Sequence, residues 1–550
     1  MSSAPTAVPK AVNAVPPVSA ALAAAYDPEA FRTHGHRLVD ALADDLARAQ
    51  QRSGHVLPAL DPNAARAQWA LQPSDFTGGA DPLADWQRII AASTKLHDPR
   101  CAAHQVAPPM PIASLTELLA AHLNNGMAVF EMGPSAVPIE LTVLQWLCSA
   151  LGWPSTAGGC LTSGGSVGNL TAMLALRQVR GGQVMERTSE RSERGVDIWR
   201  DGAHAGPPLA VVTSAQSHYS VARALKIMGW GEAGAIAAPV DAHFRLTGAA
   251  VEAAVQQAKR DGKHVIAIVA SAGSTATGAC DHLDEIADVA AAHGLWLHVD
   301  GAHGASLALA QSPVLQQRLR GIERADSVVW DAHKMLMMPA LVTAVLFRDE
   351  RHAYAAFAQQ AAYLFADGAA QATWWDMGQR TVECTKRMMA IELYTALRVH
   401  GAAVFAEIVE RQVAQGQRFA ELVAADDEFE LALQPDLNIV CYRYRPAGWR
   451  TAASVAASDS ASSIGASSAI LATAATAGTP TADPALDQLQ RDLRADLLAD
   501  GSHYIVATTL PSGYWLRSAF MNPIATDADL LALLEHIRSL GRAILARQGR

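Results

Sequence analysis

Hydrophobic and polar positions along the chain fall into three regimes. Between Asp27 and about Arg52 apolar residues recur at helical spacing. Stretches at Trp86–Leu96, Ile112–Asn125 and Ile139–Leu151 repeat the pattern, so each predicts an amphipathic helix. Beyond Thr162 short unbroken apolar runs (LAVVTS, HVIAIVAS, LWLHVD, SVVWDAH and VTAVLF) alternate with such helices. Unbroken runs are what strands covered on both faces require, and the alternation predicts an α/β domain with a mainly parallel, doubly wound sheet. After about Gly401 the pattern changes again. A long helix is followed by candidate strands at FELALQ, NIVCYRYR, YIVATTL and YWLRSAF and by a closing helix from Asp527, which together predict a small α+β domain. The expected organisation is a flexible tail over 1–25, an N-terminal helical segment over 26–110, a large α/β domain over 111–400 and the small domain over 401–550.

Composition refines this picture at a few points. Residues 451–484 are almost wholly Ala, Ser, Thr and Gly and bury too little side chain to offset ordering entropy, so they read as a flexible insertion. The charged stretch Glu186–Arg200 reads as a solvated surface insertion. A formal charge of −10 without a basic cluster argues against nucleic acid as a partner. No apolar run is long enough for a membrane span, and prolines break the N-terminal stretch where a signal peptide would need an apolar core. The six cysteines form no CxxC pair and stand at no metal-ligand spacing, so the expectation is reduced thiols, no metal and a cytoplasmic protein.

Candidate chemistry sits at the ends of the predicted strands. LWLHVDGAHGAS ends a strand at Asp300 and continues into a turn of small residues, Gly301, Ala302 and Gly304. Carboxyl ends of parallel strands are where such sheets bind ligands. A carboxylate there needs a cationic partner or several hydrogen bonds, and a protonated pyridine nitrogen in a flat ring is one such partner. In WDAHKMLMMP, Lys334 follows another strand and adjoins His333. In LTSGGSVGNLTAMLALR, Ser/Thr and Gly run directly into a helix, the form of a phosphate cradle, without the lysine that a nucleotide P-loop requires. In QSHYSVARALKIMG, His218 stands between a strand and a helix. Taken singly, each feature has an ordinary structural explanation: a solvated lysine, a helix cap or a buried histidine.

In the order cradle, histidine, aspartate, lysine, the chain resembles the group II pyridoxal 5′-phosphate (PLP) dependent amino-acid decarboxylases, among them the aromatic-amino-acid, glutamate, cysteine-sulfinate and diaminobutyrate enzymes. The resemblance covers about residues 30–440 and includes HDPRCAAHQVAPPMP, NNGMAVFEMGPSAVPIELTVLQWL and MGQRTVECTKRMMAIELYTALRVHG. It implies the type I (aspartate-aminotransferase-like) fold and decarboxylation of an L-amino acid to its amine and CO₂, through a Lys334 Schiff base and a quinonoid intermediate. It further implies that Asp300 pairs with the pyridine nitrogen, Ala302 packs on the ring and His218 stacks over the other face. Gly165, Ser166, His333 and Asp331 would hold the phosphate, with Thr275 near the ring hydroxyl. Tyr363, 29 positions after Lys334, matches the family's mobile-loop proton donor. The family's N-terminal segment wraps a partner subunit, so a homodimer is implied.

The substrate pocket in these enzymes falls on His104, Gln105, Phe130 and Met132. Arg380 or Arg387 could serve a substrate carboxylate. Here Lys334 is followed by MLMMP where many relatives have tryptophan. The substrate stays open, and rival readings are a transaminase, another lyase or a decarboxylative aldehyde synthase on the same scaffold, or a non-catalytic binding protein.

Overall fold

The computed structural model describes residues 17–58, 61–72, 74, 76–181, 198–202, 204, 206–357, 374–449 and 483–549. They group into two compact units, one of residues up to 54 with 58–94, the other of 55–57 with 95 onward. The division falls after Thr94, earlier than the boundary near residue 110 that the sequence suggests.

The first unit is helical: α1 (Ala20–Ala25), α2 (Pro28–Gln50), α3 (Pro62–Gln68) and α4 (Pro82–Ala91). The last three begin alike, on an Asp-Pro pair. Asp27, Asp61 and Asp81 accept the backbone N–H groups of Glu29, Asn63 and Leu83. The proline follows at the first helical position, where a missing N–H costs nothing. Arg37 then grips Asp81 through bonds of 3.0 and 2.7 Å. α1 lies within the stretch expected as a tail. Its alanines favour helix, and the Ser19 hydroxyl caps it by accepting from Leu22 N–H.

The second unit is built on a seven-stranded sheet in the order β1 (Gly158–Thr162), β7 (Thr343–Phe347), β6 (Ser327–Asp331), β5 (Trp296–Asp300), β4 (His264–Ser271), β2 (Leu209–Ser214) and β3 (Ala235–Ala238). The pairs from β6 through β3 are parallel, and β7 alone runs against its neighbours β6 and β1. Strands β1, β2, β5, β6 and β7 are buried at every position, which is why they read as unbroken apolar runs. The helices around them are α5 (Pro111–Leu123), α6 (Ala136–Ala150), α7 (Gly165–Leu176), α8 (Tyr219–Ile227), α9 (Gly248–Arg260), α10 (Leu283–His293) and α11 (Ala390–His400).

The C-terminal part follows α12 (Ala402–Ala424) with a four-stranded antiparallel sheet in the order β10 (Val506–Leu510), β11 (Gly513–Ala519), β9 (Ile439–Tyr444) and β8 (Phe429–Leu431). It is packed by α13 (Pro484–Asp500) and α14 (Asp527–Arg547). Of the expected insertion, residues 451–482 lie outside the described residues, and Asp483 and Pro484 open α13 as another Asp-Pro start. Residues 186–197 of the charged stretch also lie outside them. Among the described residues no helix is long and apolar enough to cross a membrane.

One buried carboxyl makes stability depend on pH. Glu392 of α11 is 1% exposed. Burial, a hydrogen bond to Glu117 of α5 and the charge of Glu117 push its pKa up to about 10, against a smaller opposing pull from Arg387. The folded state therefore keeps a proton that the unfolded chain has lost. The stabilisation is complete below the ordinary value of 4.5 and declines as pH rises toward about 10. Glu392→Gln keeps a donor to Glu117 without the titration. Melting curves between pH 5 and pH 9 should fall less steeply in this variant than in the parent, the difference being at most about 1.4 kcal/mol per pH unit. Parallel curves for the two proteins would rule this out.

Candidate active site

The carboxyl ends of β4, β5 and β6 deliver Ser271, Asp300 and Asp331 to one edge of the sheet, as an open parallel sheet requires of its ligand site. They line a cavity of about 180 Å³ together with Gln105, Gly165, Ser166, His218, Thr275, Ala302, His333 and Lys334. The cradle, histidine, aspartate and lysine, separated by up to 169 positions in the sequence (165 to 334), thus meet in one place.

Lys334 follows β6 by one tight turn, so its Nζ returns to Asp331 at 2.9 Å. Asp331 is 1% exposed and pairs in register with Thr343 of the antiparallel strand β7, whose hydroxyl donates to Asp331 Oδ1 at 2.5 Å. Burial alone would push this carboxyl up, but Lys334, His333 and the Thr343 hydroxyl together hold it below its ordinary value. The methionines after Lys334 belong to the core: Met335, Met337 and Met338 are buried beneath the site.

Asp300 is also buried. Its Oδ1 accepts Ala302 N–H at 3.2 Å and its Oδ2 accepts Asn169 Nδ2–H at 2.9 Å. His218 caps the start of α8, its Nδ1 facing the Ser220 hydroxyl at 2.7 Å. Burial lowers its pKa; Asp300 opposes this and Lys334 adds to it. A further cavity residue, His303, is 2% exposed; burial pushes its pKa down to about 3, and its Nδ1 has no partner among the described residues.

The cradle is formed by the turn between β1 and α7. Gly164 has φ 112°, a conformation that only glycine adopts without strain. A Cβ on Gly165 would lie 3.1 Å from Asp331 Oδ2. No side chain caps α7, so its first N–H groups are left for an anion in the cavity. Beneath it a buried Lys386–Glu140 pair fixes the end of β1: Lys386 donates to Leu161 O at 2.8 Å and Glu140 accepts Leu161 N–H at 2.9 Å. An amine, a buried acid and an uncapped helix start are what an aldehyde, a pyridine nitrogen and a phosphate on one flat ring need. The donor set fits PLP.

Other expected residues are placed differently. Gln105 lines the cavity, whereas His104 lines an adjoining one of about 400 Å³ that shares His218 and Thr275 with it. Phe130 and Met132 are 39% and 47% exposed and line neither. They sit on a short 3₁₀ turn held by Asp376 Oδ1, which accepts Phe130 N–H. Arg380 and Arg387 line neither as well. Arg380 donates to Trp374 O, and Arg387 pairs with Glu117 at 2.5 Å. Tyr363 lies outside the described residues.

Sequence reasoning missed Arg517 of β11, the only charged residue among those lining the adjoining cavity. It donates to Thr275 O at 2.7 Å and Ala276 O at 3.1 Å. It missed Asn169, Ser220 and His298 too. The signal for His298 was available, since it stands two residues before Asp300 on the same strand face.

A lysine, a buried acid and an uncapped helix start meeting at the edge of a mainly parallel sheet fit the class of type I PLP-dependent enzymes. The pyridoxal-dependent decarboxylase conserved domain matches residues 78–445, so the chain belongs to the pyridoxal-dependent decarboxylase family, carboxy-lyases whose cofactor is PLP. It is 32% identical over 373 residues to the L-2,4-diaminobutyrate decarboxylase of Rhizobium meliloti (strain 1021), covering 68% of this chain and 70% of the relative. It is 25% identical over 520 residues to the aromatic-L-amino-acid decarboxylase of Bacillus atrophaeus, covering 94% and 96%. Among solved structures it is similar to mouse CSAD, with a TM-score of 0.79, 25% identity, and coverage of 94% of this chain and 99% of that one.

Proposed function

We propose that the protein removes the α-carboxyl of an L-amino acid as CO₂ and releases the corresponding amine. The observation that carries this reading is the convergence of Lys334, Asp300, His218 and the start of α7 on one cavity. PLP, when bound, supplies a ring that accepts the electron pair left behind when the bond from Cα to the carboxylate breaks. The protein's own groups hold and direct. Lys334 Nζ would hold the cofactor through its aldehyde, and Asp331 at 2.9 Å holds the charge of Nζ. The first N–H groups of α7, at Gly165 and Ser166, would hold the phosphate. Asp300, steadied by Asn169 and Ala302, would hold the proton of the ring nitrogen. Tyr363 is assigned the proton that replaces CO₂ at Cα, on the family resemblance alone.

Arg517 brings a buried positive charge to the adjoining cavity, and we assign it to a carboxylate of the substrate. Arg517→Lys keeps the charge and loses the planar fork, so it should raise KM about tenfold while leaving PLP uptake unchanged. An unchanged KM would remove this assignment. The same reading includes a cytoplasmic homodimer. Leu115, Leu118, Leu119 and Leu123 of α5, each 43–50% exposed, offer one apolar helix face to a second copy.

The test is a screen of acidic, aromatic and diamino L-amino acids with the PLP-loaded protein. CO₂ is measured with hydrogen peroxide alongside, and the product is identified by mass. CO₂ with an equimolar amine is the expected result. A keto acid without CO₂, or an aldehyde with peroxide, would replace the reading with a rival reaction.

A further inference from the structure

From the buried sheet to the cavity wall, where Asn169 stands, five side chains connect two residues that the reaction uses separately. Trp296, Ser327, His298, Asn169 and Ser220 are each at most 1% exposed. Trp296 Nε1 lies 2.8 Å from Ser327 Oγ, which lies 2.8 Å from His298 Nδ1. His298 Nε2 is 3.0 Å from Asn169 Oδ1. Asn169 Nδ2 reaches both Asp300 Oδ2 and Ser220 Oγ, each at 2.9 Å, and Ser220 Oγ lies 2.7 Å from His218 Nδ1. The path is unbroken from an indole to the cavity.

Donor and acceptor chemistry gives the path a direction. An indole N–H can only donate, so Ser327 Oγ accepts from Trp296. A hydroxyl oxygen can accept twice, so the sense of its bond to His298 Nδ1 is set from the other end of the path. There the Asn169 oxygen takes the proton of His298 Nε2 and leaves Nδ1 to accept. Burial pushes the pKa of His298 down to about 4, so the ring is neutral and carries its single proton on Nε2, toward Asn169 Oδ1. Asp300 enforces the same amide orientation from the other side, because a flipped Asn169 would set its oxygen against a carboxylate oxygen. The two Nδ2 protons go to Asp300 and Ser220. The Ser220 backbone N–H, which can only donate, faces His218 Nδ1 at 3.4 Å and makes that nitrogen an acceptor, so the Ser220 hydroxyl, accepting from Asn169, gives its own proton to Nδ1.

We propose that this chain is a positioning device, in which Asn169 clamps Asp300 and, through Ser220, holds His218 as the Nε2–H tautomer. His218 then presents a proton donor to the cavity and no lone pair. It can hold an oxygen of the ligand, but it cannot take a proton from the substrate amine unless the link to Ser220 breaks. Asn169, Ser220 and His298 are positioning residues, since they act through Asp300 and His218. The inference rests on the reading that those two residues serve one ligand.

The test is nitrogen-15 spectroscopy of the full-length protein labelled at histidine, with PLP bound, with His218 assigned by its loss in His218→Gln. The expected spectrum shows a protonated Nε2 and a lone pair on Nδ1. Ser220→Ala removes the hydroxyl that favours the neutral ring. It should mix the tautomers and move the titration midpoint of His218 up by about 0.5–1 pH unit, and Ser220→Thr should restore both. A proton on Nδ1 in the parent protein overturns the proposal without recourse to any variant, as does a Ser220→Ala spectrum identical to the parent's. An Nε2–H signal in a protein that releases no CO₂ would remove the decarboxylase reading and leave the positioning chain standing.

Discussion

The Lys334→Ala protein should emerge from dialysis against buffer free of PLP without visible colour, whereas the parent should stay yellow. Borohydride treatment of the parent should fix the cofactor to the peptide carrying Lys334, and mass spectrometry would locate it. CO₂ release should fall by about 10³-fold or more, the scale of losing the group that makes a covalent link in catalysis. Alanine also leaves Asp331, 1% exposed, without its closest cation. Stripping one partner from a buried pair costs about 3–5 kcal/mol, so reduced activity alone would be ambiguous. Lys334→Arg separates the effects. It keeps a positive charge near Asp331 and the fold that depends on it, yet provides no amine that can form the link. An arginine variant that melts near the parent and binds PLP only reversibly would isolate the chemistry of Nζ. Retention of borohydride-fixed cofactor in either variant would show that another amine carries it.

Much of this site was legible before any coordinates, because its principal parts stand where strands end. Asp300, Asp331 and the glycine turn at 164–165 each interrupt an apolar pattern with a polar or small residue, and the strands deliver all of them to the same edge of the sheet. The long helix α2 was legible through its apolar spacing, whereas the short α3 was not; its Asp-Pro start repeats those of α2 and α4, but Asp98-Pro99 opens no helix, so the pair alone does not decide. What the pattern could not show was which ordinary polar residues become partners. Asn169 looks like any asparagine in a helix until β5 brings Asp300 and His298 beside it. Arg517 looks like a surface arginine on a strand until β11 places it against the carbonyls of Thr275 and Ala276. Phe130 and Met132 stand apart from both cavities. The family resemblance assigns them to the substrate pocket, and the turn held by Asp376 leaves both exposed. Strand ends are local information, whereas pairing across 129 positions or more is not.

The second large effect belongs to Asp300. Asp300→Asn preserves size and shape but cannot hold the proton of a pyridine nitrogen by charge, so kcat should fall by about 10²–10³-fold, the range for removing one preorganised electrostatic group. PLP should still be taken up and still be fixed at Lys334 by borohydride, since neither depends on this carboxylate. The substitution also breaks a local count. In the parent both Asp300 oxygens accept an N–H, from Asn169 and from Ala302. An asparagine has one oxygen for these two donors, so one buried N–H loses its acceptor, at a cost of about 1–3 kcal/mol. Asp300→Glu keeps the charge at the wrong distance and should lose activity while retaining a charged acceptor. If both variants bind PLP covalently and the asparagine form turns over within tenfold of the parent, Asp300 is a structural acceptor for its two N–H groups and the electron sink must be set by other means.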